Sequence, residues 1–255
     1  MPRGRRLLLG VAPIVAVLLF WELAAATGLL DRRFFPPPSR VATTGWEMVV
    51  SGEVSAALVP SLRRLSIGML LGALPGVLVG VLGGMVPSVR RVTRPLVAAL
   101  HPIPKTALLP LVLLLVGVGE VSQYLLVASS VFFIVAESSF VGVLTTPTVY
   151  FDVARTLQRS RAHRIWSVAL PAALPNILSG LQLGAAVGLA VLVVGEMLVA
   201  GSGLGHLVWE SWQLFRIPRM FVALALVGML GVATQVGIDL IRRTSAAWVV
   251  TQQAR

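Results

Sequence analysis

Residues 65–86 read "LSIGMLLGALPGVLVGVLGGMV" and carry no charged side chain. A helix needs about 20 apolar residues to cross the hydrocarbon core of a bilayer, so this run predicts a transmembrane helix. Glycine occupies every fourth position along one face of it, at Gly68, Gly72, Gly76, Gly80 and Gly84. Because this face is bare backbone, a second helix can approach it closely. That second helix belongs either to the same chain or to another subunit.

The composition of the whole chain is that of a membrane protein. Of the 255 residues, 56% are hydrophobic and 12% are charged, whereas soluble chains are about 25% charged. The apolar runs predict six spans, at about 7–27, 65–86, 96–118, 121–143, 174–200 and 220–241. We therefore predict an all-α polytopic protein that forms one domain over 1–255. Within it, 1–64 hold the first span and an external loop, and 65–245 hold the core helices.

The arginines predict how the chain is oriented. The formal net charge is +11, but the arginines lie between apolar runs without the interleaved aromatic residues of a nucleic-acid platform, so no nucleic-acid partner is expected. If the N-terminus lies inside, thirteen arginines fall on inner segments and seven on outer segments. Cytoplasmic loops are enriched in arginine and lysine. Both termini are therefore expected in the cytoplasm of a bacterial cell, with the chain spanning its cytoplasmic membrane.

Proline breaks the third apolar run, "PLVAALHPIPKTALLPLVLLLVGVG" at residues 95–119. A broken helix at membrane depth usually borders a cavity, because its freed carbonyl groups need partners. A kink that only shapes the bundle is the alternative. Ionisable residues within spans commonly face water or a bundle interior. The candidates for a solute pathway are Lys105, Glu137 with its neighbour Ser138, and Glu196, for which structural hydrogen bonding stays open.

No enzyme site or cofactor site is predicted. The chain has no cysteine, which excludes thiolate metal sites and a cysteine nucleophile. It also lacks the G-x-x-x-x-G-K-[ST] loop that cradles nucleotide phosphates. Ser202 and His206 resemble an intramembrane hydrolase dyad only superficially, since both lie in one glycine-rich stretch with nothing to orient the base. The three histidines lie on separate segments without metal-ligand spacing.

A basic segment at 152–171, "DVARTLQRSRAHRIWSVALP", interrupts the apolar pattern between spans four and five. Thr146 and Pro147 predict a helix start, with the threonine hydroxyl as cap. An apolar stripe then follows at i, i+3, i+4 and i+7, formed by Tyr150, Val153, Ala154 and Leu157. Such a helix is too short and polar to cross lipid. An amphipathic helix resting on lipid and a plain charged loop both remain possible on these grounds.

Residues 152–184, "DVARTLQRSRAHRIWSVALPAALPNILSGLQLG", resemble the EAA loop of binding-protein-dependent ABC transporter permeases. The family pattern is E-A-A, three residues, G, nine residues, I, one residue, L-P. Asp152 takes the acidic position, Val153 and Ala154 the following pair, Gln158 the glycine position and Val168 the isoleucine position, while Leu170 and Pro171 close the pattern. The resemblance extends from the loop after span one to the end of span six. It is most similar to the nitrate, sulfonate and taurine permease group.

The resemblance implies a function and a set of partners. The loop over 146–172 would couple the permease to a cytoplasmic ATPase subunit, which binds ATP and Mg²⁺, so that this chain needs no cofactor of its own. Two permease copies, most simply a homodimer, would form the pathway between two ATPase subunits, and an external solute-binding protein would deliver a small anion. Vitamin precursors or other small solutes are the alternative cargo. The implied docking surface comprises Asp152, Val153, Ala154, Arg155, Thr156, Leu157 and Ser160.

Gln158 departs from the family pattern. A left-handed backbone at this turn would cost a non-glycine residue roughly 1–2 kcal/mol, so we expect either a reshaped turn or a longer helix. An ion-coupled secondary transporter is the rival function, motivated by Glu137, Glu196 and the broken third span. An intramembrane hydrolase is the third reading. Neither explains the spacing of 152–171.

Overall fold

A computed structural model describes the backbone of residues 3–245 and the side chains of residues 12–160 and 162–244. Throughout the described range the ordered elements are helices. A 3-10 turn, Lys105–Leu108, precedes the helix Leu109–Val116, and a π-helical turn, Ile165–Ala169, joins the helices Arg161–Arg164 and Leu170–Leu198. The helices are α1 Arg3–Ala26, α2 Pro38–Val50, α3 Glu53–Met85, α4 Pro87–Leu100, α5 Leu109–Val116, α6 Glu120–Leu144, α7 Thr148–Thr156, α8 Arg161–Arg164, α9 Leu170–Leu198, α10 Leu204–Gln213 and α11 Ile217–Ser245.

Within the part of the chain that the structure describes, four helices are long and apolar enough to cross a membrane, namely α3, α6, the continuous helix Ala162–Leu198 and α11. A fifth crossing arises if α4 and the helical stretch Lys105–Val116, which meet at 91°, count as one bent span. The predicted break in span three is therefore present. The described side chains of α1 form the apolar stretch Ala12–Ala26, which by itself is too short to count as a crossing, and the total of six spans stays a prediction.

Two helix boundaries differ from the sequence pattern. Within the segment predicted as an external loop up to residue 64, α3 already begins at Glu53. Helix α3 continues past the adjacent Arg63 and Arg64 because both side chains pair with the Glu120 carboxylate of the same chain. Leu170 and Pro171 do not end the basic segment either, since they lie inside Ala162–Leu198. The π-helical turn before Pro171 takes up the disruption caused by a residue without a backbone N–H.

The glycine face of α3 packs against α6 of the same chain. A Cβ atom placed on Gly76 would lie 2.9 Å from the backbone oxygen of Phe132. On Gly68 and Gly84 it would lie 2.5 Å from the Cβ atoms of Val127 and Val143, respectively. The two backbones are thus as close as glycine allows, which favours the van der Waals contact that joins helices in lipid. The structure assigns this face to packing inside one chain.

Helix α6 is the centre of the bundle, because α9 packs on it beside α3. A Cβ atom on Gly142 of α6 would lie 2.9 Å from the Cβ atom of Asn176 on α9. The main buried cluster draws Leu65 from α3, Val127 and Val131 from α6, and Leu192 from α9. Helices α3, α6 and α9 therefore share one core, and α7 leaves it directly from the end of α6.

Candidate functional site

The basic segment begins with α7, whose start differs from the prediction. Pro147 precedes the helix with φ −55° and ψ 132°, and no side chain caps the first turn. The hydroxyl group of Thr146 instead donates to the backbone oxygen of Gly142 at 3.0 Å, on the last turn of α6. The hydroxyl cap was therefore wrong. Thr146 ties α7 to the end of α6, and the fixed φ of Pro147 turns the chain out of the bundle.

Helix α7 ends in a left-handed turn at Gln158, which has φ +50°. The Gln158 N–H donates to the Arg155 oxygen at 2.8 Å, and the Arg159 N–H donates to the Ala154 oxygen at 3.1 Å. These two bonds are those of a Schellman motif, a helix ending that usually has glycine at the left-handed position. Both expectations for Gln158 were wrong, because the turn is neither reshaped nor replaced by a longer helix. Glutamine adopts the conformation itself.

Helix α7 turns an apolar ridge away from the rest of the chain. Val149, Tyr150, Val153 and Leu157 form this ridge, and the Leu157 side chain is 63% exposed. The expected docking surface includes Val153 and Leu157, and its polar members Asp152, Arg155, Thr156 and Ser160 are also exposed. Ala154 is only 6% exposed, so it faces inward. An exposed apolar row on a polar, charged segment marks a surface that another molecule covers.

A second feature is a cavity of about 480 Å³ at the break between α4 and α5, here called the midspan cavity. Lys105, Glu137 and Ser138 all line it, together with Phe133. Lys105 is nearly buried, and its Nζ donates to the backbone oxygen of Leu100 at 2.7 Å. The same Nζ lies 4.2 Å from the centre of the Phe133 ring. Pro104 has no N–H to donate to the Leu100 oxygen, which instead accepts from the Ile103 N–H at 3.3 Å and from Lys105. A cation over an aromatic face is also stabilised.

The midspan cavity can hold a small polar solute. Its volume lies within the range of about 300–1,000 Å³ that is usual for small-molecule sites. The Lys105 ammonium group lies on the wall formed by the broken span, and the Glu137 carboxyl group lies on the wall formed by α6. The remaining lining is largely apolar. A few charged groups in an apolar pocket fix the orientation of a ligand.

Glu196 lies elsewhere, in a buried network at the other end of the bundle from α7. Its side chain is 0% exposed. Three groups donate to the Glu196 carboxylate. They are Arg64 Nη1 at 2.8 Å, the Ser61 hydroxyl at 2.8 Å and the Gly205 N–H at 2.9 Å. Since these donors account for both carboxylate oxygens, Glu196 has the structural role that the sequence left open. It does not line the midspan cavity.

Arg64 is the centre of this network, and sequence reasoning missed it. Its side chain is 4% exposed and also donates to Glu120, at 2.6 Å and 3.0 Å. Its Nη1 and Nη2 groups bind the backbone oxygen and the hydroxyl oxygen of Ser202 at 2.7 Å and 3.0 Å. Ser202 is thus an acceptor for Arg64. The available signal was that Glu196, a carboxylate within an apolar span, requires a cationic partner.

Comparison with known proteins identifies the family. Residues 76–245 match the family described as binding-protein-dependent transport system inner membrane component. The chain is 30% identical over 252 residues to the taurine transport system permease protein TauC of Escherichia coli (strain K12), covering 97% of this chain and 92% of TauC. It is 32% identical to the aliphatic sulfonates transport permease protein SsuC of Bacillus subtilis (strain 168), covering 91% of this chain and 84% of that protein.

Solved structures show the same fold. An inward-facing structure of the MetNI methionine ABC transporter superposes with a TM-score of 0.67 at 20% identity, covering 74% of this chain and 94% of that chain. An amino acid ABC transporter superposes with a TM-score of 0.59 at 18% identity. The relatives by sequence are permease subunits, which are not themselves enzymes. This chain therefore belongs to the family of binding-protein-dependent transport system inner membrane components and is the permease subunit of an ABC importer.

Proposed function

We propose that two copies of this chain form the translocation route and that the apolar ridge of each copy docks on one cytoplasmic ATPase subunit. The termini then lie in the cytoplasm, as the arginine distribution indicates. The ATPase subunits bind ATP and Mg²⁺, and an external solute-binding protein delivers the cargo. The observation that carries this proposal is the exposure of Val153 and Leu157 on a short charged helix between two spans.

Burial of the ridge explains why α7 would bind a protein. Aliphatic side chains removed from water stabilise a complex, and charged groups at the rim select orientation and partner. Asp152 and Arg155 supply such a rim, since their side chains are exposed and pair with each other at 3.2 Å. A lipid surface would instead favour basic groups without a carboxylate among them. The pairing of opposite charges thus favours a protein groove.

Leu157→Arg tests the docking proposal. The exposed side chain makes this change tolerable to the fold, so the variant should insert normally and lose most co-purification with its ATPase subunit. Ala162→Arg is the matched control, because it adds the same charge to an exposed position of the same segment outside α7. Ala154 is an unsuitable position for this test, since it is buried and a substitution there would affect folding as well as docking. Undiminished complex formation by Leu157→Arg would refute the assignment.

The proposed cargo is a small sulfonate-type anion, which Lys105 would contact in the midspan cavity. The names of the relatives, which concern taurine and aliphatic sulfonates, support this class, and a buried ammonium group beside an apolar wall suits an anion on a short carbon chain. Lys105→Met should reduce ATP-dependent uptake of taurine by the complete complex in proteoliposomes, whereas the amount of assembled complex should not change. Unchanged uptake would remove Lys105 from the pathway.

Uptake by the chain alone would contradict the whole proposal. The decisive measurement is solute accumulation in liposomes that contain only this chain, under an imposed ion gradient. We expect none, because the motion that moves the solute is supplied by the ATPase subunits. Accumulation would instead establish the ion-coupled secondary transporter.

A further inference from the structure

A second cavity lies on the same side of the bundle as α7, and two of its lining residues, Asp152 and Arg155, also belong to the proposed docking surface. This inner cavity has a volume of about 700 Å³. It is bounded by the end of α3, the start of α4, the end of α6 and the segment from α7 to the π-helical turn. Its walls combine apolar side chains with arginine. The charged members are Arg90, Arg155, Arg164 and Asp152, and the apolar members include Val143 and Phe151.

The charges around the inner cavity do not balance. Three arginines face one carboxylate among the described lining residues. Asp152 is already paired with Arg155 at 3.2 Å. Arg90 Nε donates to the backbone oxygen of Gly83 at 3.1 Å, and its Nη2 donates to that of Gly84. These bonds satisfy part of Arg90 without neutralising its charge, so the lining keeps an excess of positive charge.

Arg164 supplies the independent observation. Its Nε atom is buried and has no hydrogen-bond partner in the part of the chain that the structure describes. A buried donor without an acceptor is costly, and a charged donor more so. The Arg164 side chain lines the inner cavity, and a rotation of that side chain toward an anion in the cavity would give this donor an acceptor. Guanidinium groups bind phosphate oxygens in pairs of parallel hydrogen bonds, which suits a cavity with several of them.

We propose that the inner cavity binds a phosphate-bearing anion, with Arg164 as its principal ligand and Arg90 and Arg155 as supporting charges. The apolar wall beside the arginines fits the phosphate group of an anionic phospholipid, and basic pockets between membrane helices hold such headgroups. Inorganic phosphate shares the same chemistry. The anion would join α7 to the α3–α4 junction. This inference does not depend on the cargo or on ATPase docking.

The test compares Arg164→Gln with Arg159→Gln, an exposed arginine that does not line the cavity. The full chain is purified in detergent, and native mass spectrometry measures binding of phosphatidylglycerol against phosphatidylcholine. Calorimetry measures binding of inorganic phosphate. We expect Arg164→Gln to weaken binding at least about tenfold, equivalent to about 1.4 kcal/mol, while Arg159→Gln binds like the unmodified chain.

Each outcome decides the proposal or its source. Selective retention of phosphatidylglycerol, lost in Arg164→Gln, assigns the site to a lipid headgroup. Calorimetric binding of inorganic phosphate with the same loss assigns it to a soluble anion. Equal binding by both variants, or no anion bound by the unmodified chain, overturns the proposal. If Arg164→Gln does not fold, Arg155→Gln replaces it, because the exposed Arg155 side chain tolerates the change.

Discussion

Replacement of Arg64 by methionine tests the buried network that joins α3, α6, the end of α9 and the start of α10. Methionine keeps much of the length of the side chain and removes its charge. The Glu196 carboxylate, 0% exposed, then keeps the Ser61 hydroxyl and the Gly205 N–H as donors but loses its cation. Removal of one partner from a buried ion pair leaves an uncompensated charge in a medium that solvates it poorly.

The expected loss of stability follows from that burial. Breaking a buried pair by removal of one member costs about 3–5 kcal/mol. For a chain of this size each 1 kcal/mol shifts the unfolding midpoint by about 2–4 °C. Arg64→Met should therefore lower the midpoint by about 6–20 °C. The lost bonds to Glu120 and Ser202 act in the same direction.

The assay is thermal unfolding in detergent, followed by intrinsic fluorescence. The chain has six tryptophans as reporters and no cysteine for thiol-reactive dyes. All variants are heated at one scan rate, since unfolding of membrane proteins is often irreversible and the midpoint then depends on rate. Arg63→Met is the matched control. The Arg63 side chain is 55% exposed and pairs with Glu120 at 3.1 Å, so its loss should cost less than about 1 kcal/mol.

A second substitution separates charge from packing. Glu196→Gln removes the stranded carboxylate, so Arg64→Met combined with Glu196→Gln should be more stable than Arg64→Met alone. The reasoning fails if Arg64→Met and Arg63→Met have the same unfolding midpoint. It also fails if Glu196→Gln gives Arg64→Met no relief, because the loss would then come from packing rather than from an unpaired charge.

Two further predictions concern close packing and backbone strain. Gly72→Leu should reduce the yield of folded protein in size-exclusion chromatography, because a Cβ atom at this position would lie 3.0 Å from the Cα atom of Ala128 and overpacking a core costs about 1–3 kcal/mol or more. Gly237→Leu is the control and should be tolerated, since its Cβ position faces open space. Equal yields of the two variants would contradict the packing argument. Gln158→Gly should raise the unfolding midpoint, since glycine removes up to about 1–2 kcal/mol of strain from a left-handed backbone. Gln158→Val should lower the midpoint. The same midpoint for both variants would show that the turn carries no strain.

The parts of the fold that sequence predicted are those encoded by local patterns. Apolar length marks the helices that cross lipid, and the four-residue glycine repeat marks a face of close approach. Pro102 and Pro104 marked the break in the third span, and Lys105 beside them lines the cavity that opens there. The local sequence of α3 could not predict which helix packs against the glycine face. That identification required the position of α6 in the structure.

The features that sequence missed depend on residues far apart along the chain. Arg64 and Glu196 are separated by 132 positions, and Arg64 looked like part of an external loop because two adjacent arginines suggest solvent. Pairing with two carboxylates makes the same arginine compatible with a buried helix. The periodicity of α7 likewise grouped Ala154 with Val153 and Leu157. A repeat shows which residues lie near one another on a helix, but not where the boundary between the covered and exposed faces falls.

In the proposed function, the packing around the midspan cavity determines which part of the permease would move relative to the rest. Helices α3 and α6 meet backbone to backbone, and α6 and α9 meet at Gly142 and Gly180, so these helices have little room to slide and form one rigid unit. The midspan cavity lies between that unit and the bent segment around Lys105. Helix α7 emerges from the end of α6 and leads into α9. A force applied to the apolar ridge would therefore move the unit as a whole, and the change in cavity shape would occur at the bent segment. Such coupling requires contacts that differ between the two states. In the proposed function, the Lys105 ammonium group would supply them by exchanging the Leu100 oxygen for a solute.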